Sequence, residues 1–194
     1  MKFFNKYFFI GLSAGVILTV LLEIGGISLL VYSYTRSMKG GKTGMEASLQ
    51  APDFNQANIP ADYALNIKSL DGKPFSLSDL KGKVIFLNIW ATWCPPCRAE
   101  MPSIQSLYDK IKNKDLAFVC ISAEDEKTVS KFIREKGYTF PVHLYQGNLP
   151  SVYETQGIPA TFIISKDGKI AFKHVGSAKW DDPKSIYFIQ NLLK

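Results

Sequence analysis

Several patterns of hydrophobic and polar positions follow one another along this chain. From residue 7 to residue 34 it is almost wholly apolar, with one acid, Glu23. About 20 apolar residues span a bilayer as a helix, so this run predicts a transmembrane segment. Residues 36–62 are rich in Gly, Lys, Ala, Asn and Pro without a sustained period, which predicts a linker. Residues 64–70, "ALNIKSL", alternate as a strand does. Asp71-Gly72 is a hairpin turn signal, and "KPFSLSDL" returns from it. Ser78 is placed to cap a short turn before Gly82. Residues 83–91, "KVIFLNIWA", are nearly continuously apolar, as a buried central strand is. Met101, Ile104, Leu107, Tyr108 and Ile111 then mark one face of an amphipathic helix.

Residues 116–123, "LAFVCISA", form a second buried run. Val129, Phe132 and Ile133 share a helical face that stops at Gly137. "VHLY" reads as a short strand or part of a loop. Residues 160–165 predict a third central strand, and Asp167-Gly168 turns the chain into "KIAFKHV". Asp181 or Asp182 caps a last helix with Pro183 in its first turn. The order predicts an α/β fold: a central mixed sheet with helices on both faces, preceded by a β-hairpin and a transmembrane helix. Three units follow: an anchor over 1–35, a linker over 36–62 and a domain over 63–194.

The flanks refine the picture of the N-terminus. Lys2 and Lys6 precede the apolar run, and Arg36, Lys39 and Lys42 follow it, so charge does not decide its orientation. Tyr7, Tyr32 and Tyr34 suit interfacial belts. A cleaved secretory signal is the alternative, but it has a shorter apolar core and a small-residue cleavage site. An uncleaved anchor therefore fits better. Glu23 either meets a membrane partner or lies near the far interface, and the second reading is simpler. The formal net charge is +6, with no Lys/Arg block. That describes a solvated basic surface rather than a nucleic-acid interface.

Candidate chemistry centres on "WCPPC", with Cys94 and Cys97 around Pro95 and Pro96. A structural zinc site needs four ligands, and His143 and His174 are far away in sequence. A structural disulfide between residues three apart closes too small a loop to stabilise much. Redox chemistry fits the placement: Cys94 ends a buried strand and begins a helix, whose free N–H groups and partial positive charge favour a thiolate. Cys97 lies one turn on. A C-x-x-C after a strand of a βαβ unit is a thioredoxin-like signature. Trp93 shields the pair or packs as an ordinary aromatic. Pro159, in "TQGIPATF", precedes a strand, where it is either a cis-proline or an ordinary loop proline.

"GKVIFLNIWATWCPPCRAEMPSIQSLY", with "LDGKPFSLSDLKGK" before it and "GIPATFIISKDGKI" after it, resembles the TlpA/ResA-like thioredoxin family. The resemblance runs from "APDF" at residues 51–54 to the C-terminus. One departure is that "NQANIPADY" intervenes before the first strand. The resemblance implies a thioredoxin-like fold and an extracytoplasmic thiol–disulfide oxidoreductase held in the cytoplasmic membrane by one span, its domain facing the periplasm or cell exterior. It implies reduction of client-protein disulfides, with cytochrome c maturation as one setting, and recharging by a membrane electron donor of the CcdA or DsbD type. No cofactor beyond the Cys94–Cys97 disulfide and no metal is implied. Ile158 and Pro159 would offer backbone to a client chain beside Trp93.

Cys94 enters the helix first and is expected to be the more exposed sulfur, which makes it the attacking thiol and Cys97 the resolving one. Thioredoxins commonly carry a buried Asp six residues before the first cysteine, but here that residue is Asn88. In ResA-like proteins an acid at the position of Glu100 handles the proton. The alternative is that Glu100 serves only as a carboxylate near the helix start. Two other functions share the fold. A peroxiredoxin-like peroxidase has a Thr three residues before its cysteine, whereas Thr92 is two before Cys94. A copper-delivery module favours C-x-x-x-C with a His. Cys120, in an apolar run, reads as an inert buried thiol.

Overall fold

In the computed structural model, which describes residues 49–54 and 57–194, eight strands form one mixed sheet. They are β1 (Ile59–Pro60), β2 (Asn66–Ser69), β3 (Pro74–Ser76), β4 (Val84–Ile89), β5 (Leu116–Ser122), β6 (Val142–Leu144), β7 (Ala160–Ile164) and β8 (Lys169–Val175). Their spatial order is β1-β8-β7-β4-β5-β6-β2-β3. β4 runs parallel to β5 and antiparallel to β7, so it is central, and all six of its residues are buried. This is why the run "VIFLNI" shows no alternation. The hairpin turns at Asp71-Gly72, where Gly72 has φ 80°, a conformation that favours glycine.

Among the described residues three α-helices pack on the sheet: α1 (Pro95–Lys110), α2 (Glu126–Lys136) and α3 (Pro183–Leu193). All three contribute to one core cluster, through Met101, Ile104 and Leu107 of α1, Val129 of α2 and Ile189 of α3. They meet Val84, Phe86 and Trp90 there. The alternate residues Ile85, Leu87 and Ile89 enter a second cluster with no α-helical member. Leu77 and Leu80 of one 3-10 turn, Tyr153 of another, and Leu65 and Ile67 cover that side. The expectation of helices on both faces is thus corrected. The segments ahead of β4 and β7 make only single 3-10 turns of four and three residues. The first turn is capped by Ser76 in a capping box with Asp79, not by Ser78. Asp182, rather than Asp181, caps α3.

Residues 49–54 and 57–62, read from sequence as linker, are packed on the domain. Ile59 and Pro60 pair with β8, and Phe54 stacks on Phe188 and tilts against Phe172, with ring centroids 4.4 and 4.6 Å apart. A two-residue strand is too short to show a period. The predicted anchor over 1–35, with Glu23, lies outside the described residues. Among the described residues no helix is long and apolar enough to cross a membrane.

Candidate active site

β4 delivers the chain into a turn at residues 91–94, closed by the Cys94 N–H donating to the Ala91 carbonyl at 3.2 Å. Cys94 is the N-cap of α1, with extended backbone (φ −86°, ψ 108°). Pro95 and Pro96 occupy the first two helical positions, where missing N–H groups cost the helix nothing. They do remove donors from the cap. An N-cap side chain accepts from the second or third helical amide. The second is Pro96, so only the Cys97 N–H reaches Cys94 Sγ, at 3.2 Å. Cys94 and Cys97 form a disulfide, with Cα atoms 5.3 Å apart. Cys94 is 2% exposed and Cys97 0%, while Trp93 beside them is 69% exposed. Trp93 therefore projects into solvent at the edge of the site.

The loop before β7 faces the pair. The Ile158–Pro159 peptide is cis, and the Ile158 carbonyl oxygen lies 3.7 Å from Cys94 Sγ. The Pro159 carbonyl accepts from Gly176 N–H at 2.8 Å, which ties this loop to the strap that follows β8.

Glu100, one turn after Cys97 on α1, is 1% exposed. It accepts from Asn88 Nδ2 at 2.9 Å, from Trp180 Nε1 at 2.9 Å and from the Ala178 N–H at 3.1 Å. None of these donors belongs to α1, and Glu100 lies beyond the first turn of that helix. Burial pushes its carboxyl up to about 7, against the pull of the Trp180, Ala178 and Asn88 hydrogen bonds. Asn88 also donates to Thr161 Oγ1 at 2.9 Å. Cys120 sits opposite Asn88 in the β4–β5 register, and burial, then the Glu100 charge, pushes its thiol up. It is a free thiol with 0% exposure. Among the described residues no group of three His, Cys, Asp or Glu is arranged to hold a metal ion. His143 stacks on Phe75, and His174 stacks on Phe172 and meets the edge of Trp180.

The predicted positions Cys94, Cys97, Trp93, Ile158 and Pro159 come together at one end of the sheet, with Glu100 buried behind them. Residues 176–180 and Trp180 were not singled out in the sequence. They lie about 80 positions from Glu100, and no local pattern marks a partner at that range.

Two electrons enter this site when the Cys94–Cys97 bond opens and leave when it closes. The class is therefore that of the thiol–disulfide oxidoreductases built on a thioredoxin-like fold. The chain belongs to the Redoxin family, whose model matches residues 46–188. It is 32% identical over 162 residues to the thiol-disulfide oxidoreductase ResA of Bacillus cereus, covering 82% of this chain and 86% of that protein. It is 36% identical over 168 residues to the thioredoxin-like protein YneN of Bacillus subtilis, covering 84% and 89%. Among solved structures, StoA from Bacillus subtilis is 27% identical with a TM-score of 0.55, covering 70% of this chain and all of that one. A putative thiol:disulfide interchange protein DsbE from Chlorobium tepidum is 26% identical with a TM-score of 0.58, covering 73% and 96%.

Proposed function

We propose that this oxidoreductase works as a reductant of client-protein disulfides outside the cytoplasm, tethered by the apolar segment over 1–35. The observation that carries the direction is the single amide reaching Cys94 Sγ. A thiolate with one N–H donor is less stabilised than one with two. Its thiol keeps a higher pKa and its disulfide a less oxidising potential. The arrangement of Cys94, Cys97 and Glu100 supports the following cycle. The Cys94 thiolate attacks a client disulfide, forming a mixed disulfide and releasing one client thiolate, which takes a proton from water. Cys97 then attacks Cys94 Sγ. Its thiol proton passes to Glu100, the Cys94–Cys97 bond forms, and the second client sulfur leaves as a thiolate. A carboxyl poised at about 7 can take that proton at neutral pH and return it to water.

Client backbone would dock at Ile158 and Pro159, whose carbonyl-bearing loop faces Cys94, with Trp93 as a neighbouring apolar contact. Clients of cytochrome c maturation suit such a reductant, and a membrane donor of the CcdA or DsbD type suits its recharging. The peroxidase alternative is disfavoured by Thr92, whose hydroxyl is committed to Glu124. Equilibrating the purified protein with glutathione or dithiothreitol buffers tests the proposal. A potential near that of thioredoxin, about −270 mV, is expected; one near the strong oxidant DsbA, about −120 mV, would overturn it.

A further inference from the structure

Glu124, in the loop between β5 and α2, grips the turn that carries Cys94. Its Oε2 accepts from the Thr92 N–H and its Oε1 from the Thr92 hydroxyl, both at 2.6 Å. The hydroxyl distance is that of an O–H···O⁻ hydrogen bond. The carboxylate is itself fixed: Ser122 Oγ donates to Oε2 at 3.1 Å and accepts from the Glu124 N–H at 3.3 Å. Ser122 is fully buried at the end of β5. Thr92 and Trp93 are the two corner residues of the 91–94 turn, and Cys94 is its last residue. A bidentate hold on one corner therefore sets both where Trp93 projects and how Cys94 enters α1 as its N-cap.

We infer that Glu124 is a positioning residue for Cys94, acting through Thr92 to hold the extended cap geometry in which the sulfur receives the Cys97 N–H. The inference builds on the reductase reading but concerns a residue that takes no part in the electron or proton steps. Without the clamp the turn has a free corner amide, and α1 loses its fixed entry. Small misplacements of a reacting group cost large factors in rate.

The test compares the full chain with Glu124→Ala, Glu124→Gln and Thr92→Val. A glutamine can accept from the Thr92 N–H through Oε1 and donate to the Thr92 hydroxyl through Nε2, so it keeps the grip without the charge. Insulin-disulfide reduction, Cys94 alkylation by iodoacetamide from pH 5 to 10 and thermal stability are measured on each. Glu124→Ala is expected to slow both reactions by about tenfold and to displace the alkylation curve along the pH axis. Glu124→Gln is expected to restore most of the wild-type rate, and Thr92→Val to fall between. A Glu124→Ala protein that is less stable but has the wild-type rate and curve would overturn the inference. So would a Glu124→Gln protein as slow as Glu124→Ala, since charge alone would then be responsible. If Glu124→Ala does not fold, Thr92→Val decides, and a wild-type rate there overturns the inference as well. Failure of the wild-type protein to reduce insulin would instead count against the reductase reading, while the alkylation comparison would still test Glu124.

Discussion

Glu100 is a buried acid with three donors and no cation. Its carboxyl is held at about 7 in the fold, against 4.5 for an ordinary glutamate. The folded protein therefore binds more protons than the unfolded chain between these values, so stability falls as pH rises through them. The contribution is complete below about pH 4.5 and is lost as pH passes 7. At about 1.4 kcal/mol for each pH unit, the change is about 3 kcal/mol. Urea unfolding of the oxidised protein from pH 4 to 8 is expected to show this slope, and Glu100→Gln to flatten it. The same variant is expected to lose an inflection near pH 7 in client reduction, because an amide takes no proton. Its Nε2 also brings a donor into a set of donors, so a stability loss at low pH accompanies it. A second residue-scale prediction concerns the sulfurs. Cys97→Ser is expected to accumulate mixed disulfides through Cys94, read as mass adducts released by dithiothreitol. Adducts that accumulate instead through Cys97 in a Cys94→Ser variant, and not in Cys97→Ser, would reverse the assigned roles.

At the scale of elements, the start of α1 governs redox poise. Pro96 stands where the second cap donor would be. Pro96→Ala restores that N–H, and a hydrogen bond to a thiolate is worth about 1.5 kcal/mol. Converted through the two-electron relation, the reduction potential is expected to rise by about 30 mV, with a lower Cys94 pKa in alkylation titrations. An unchanged potential would mean that the second amide does not reach the sulfur. This element was legible in advance, since a buried run ending at Cys94 and an i, i+3, i+4 face after it follow from periodicity. Other elements were not. β1 has two residues, and β6 at three residues could be read either way. The cap at Ser76 rather than Ser78 depends on where Asp79 reaches back. Glu124 was invisible for a different reason. It sits in the acidic stretch "AEDE", and its partner Thr92 lies 32 positions away, so only the adjacency of β4 and β5 brings them together.

For the whole molecule, the described residues from 49 onward make their own core. Phe54 lies on Phe172 and Phe188, and the Lys179 N–H donates to the Gln50 carbonyl at 2.9 Å. Residues 49–194 expressed alone are therefore expected to unfold in one cooperative transition with the reduction potential of the full chain. The full chain is expected to sediment with membranes and the shorter one to remain in the supernatant. Starting instead at residue 63 removes β1 and Phe54. A loss of stability of about 2 kcal/mol or more is expected, since Phe54 is only partly buried and falls below the range of full-core phenylalanines. Equal stability of the two truncated forms would show that the N-terminal strap is dispensable.

The contact between Asn88 and Glu100 has a consequence for descent and for engineering. Thioredoxins commonly place their buried acid where Asn88 stands, and here that side chain is 2.9 Å from the Glu100 carboxylate. The two acid positions are therefore alternatives, not additions. Asn88→Asp alone would set two carboxyls against each other with one proton to share, which drives one of them far up in pKa. A lineage moving the acid from strand to helix, or an engineer moving it back, must change both positions together or pass through an uncharged pair. Asn88→Asp with Glu100→Gln is the shortest path between the two arrangements.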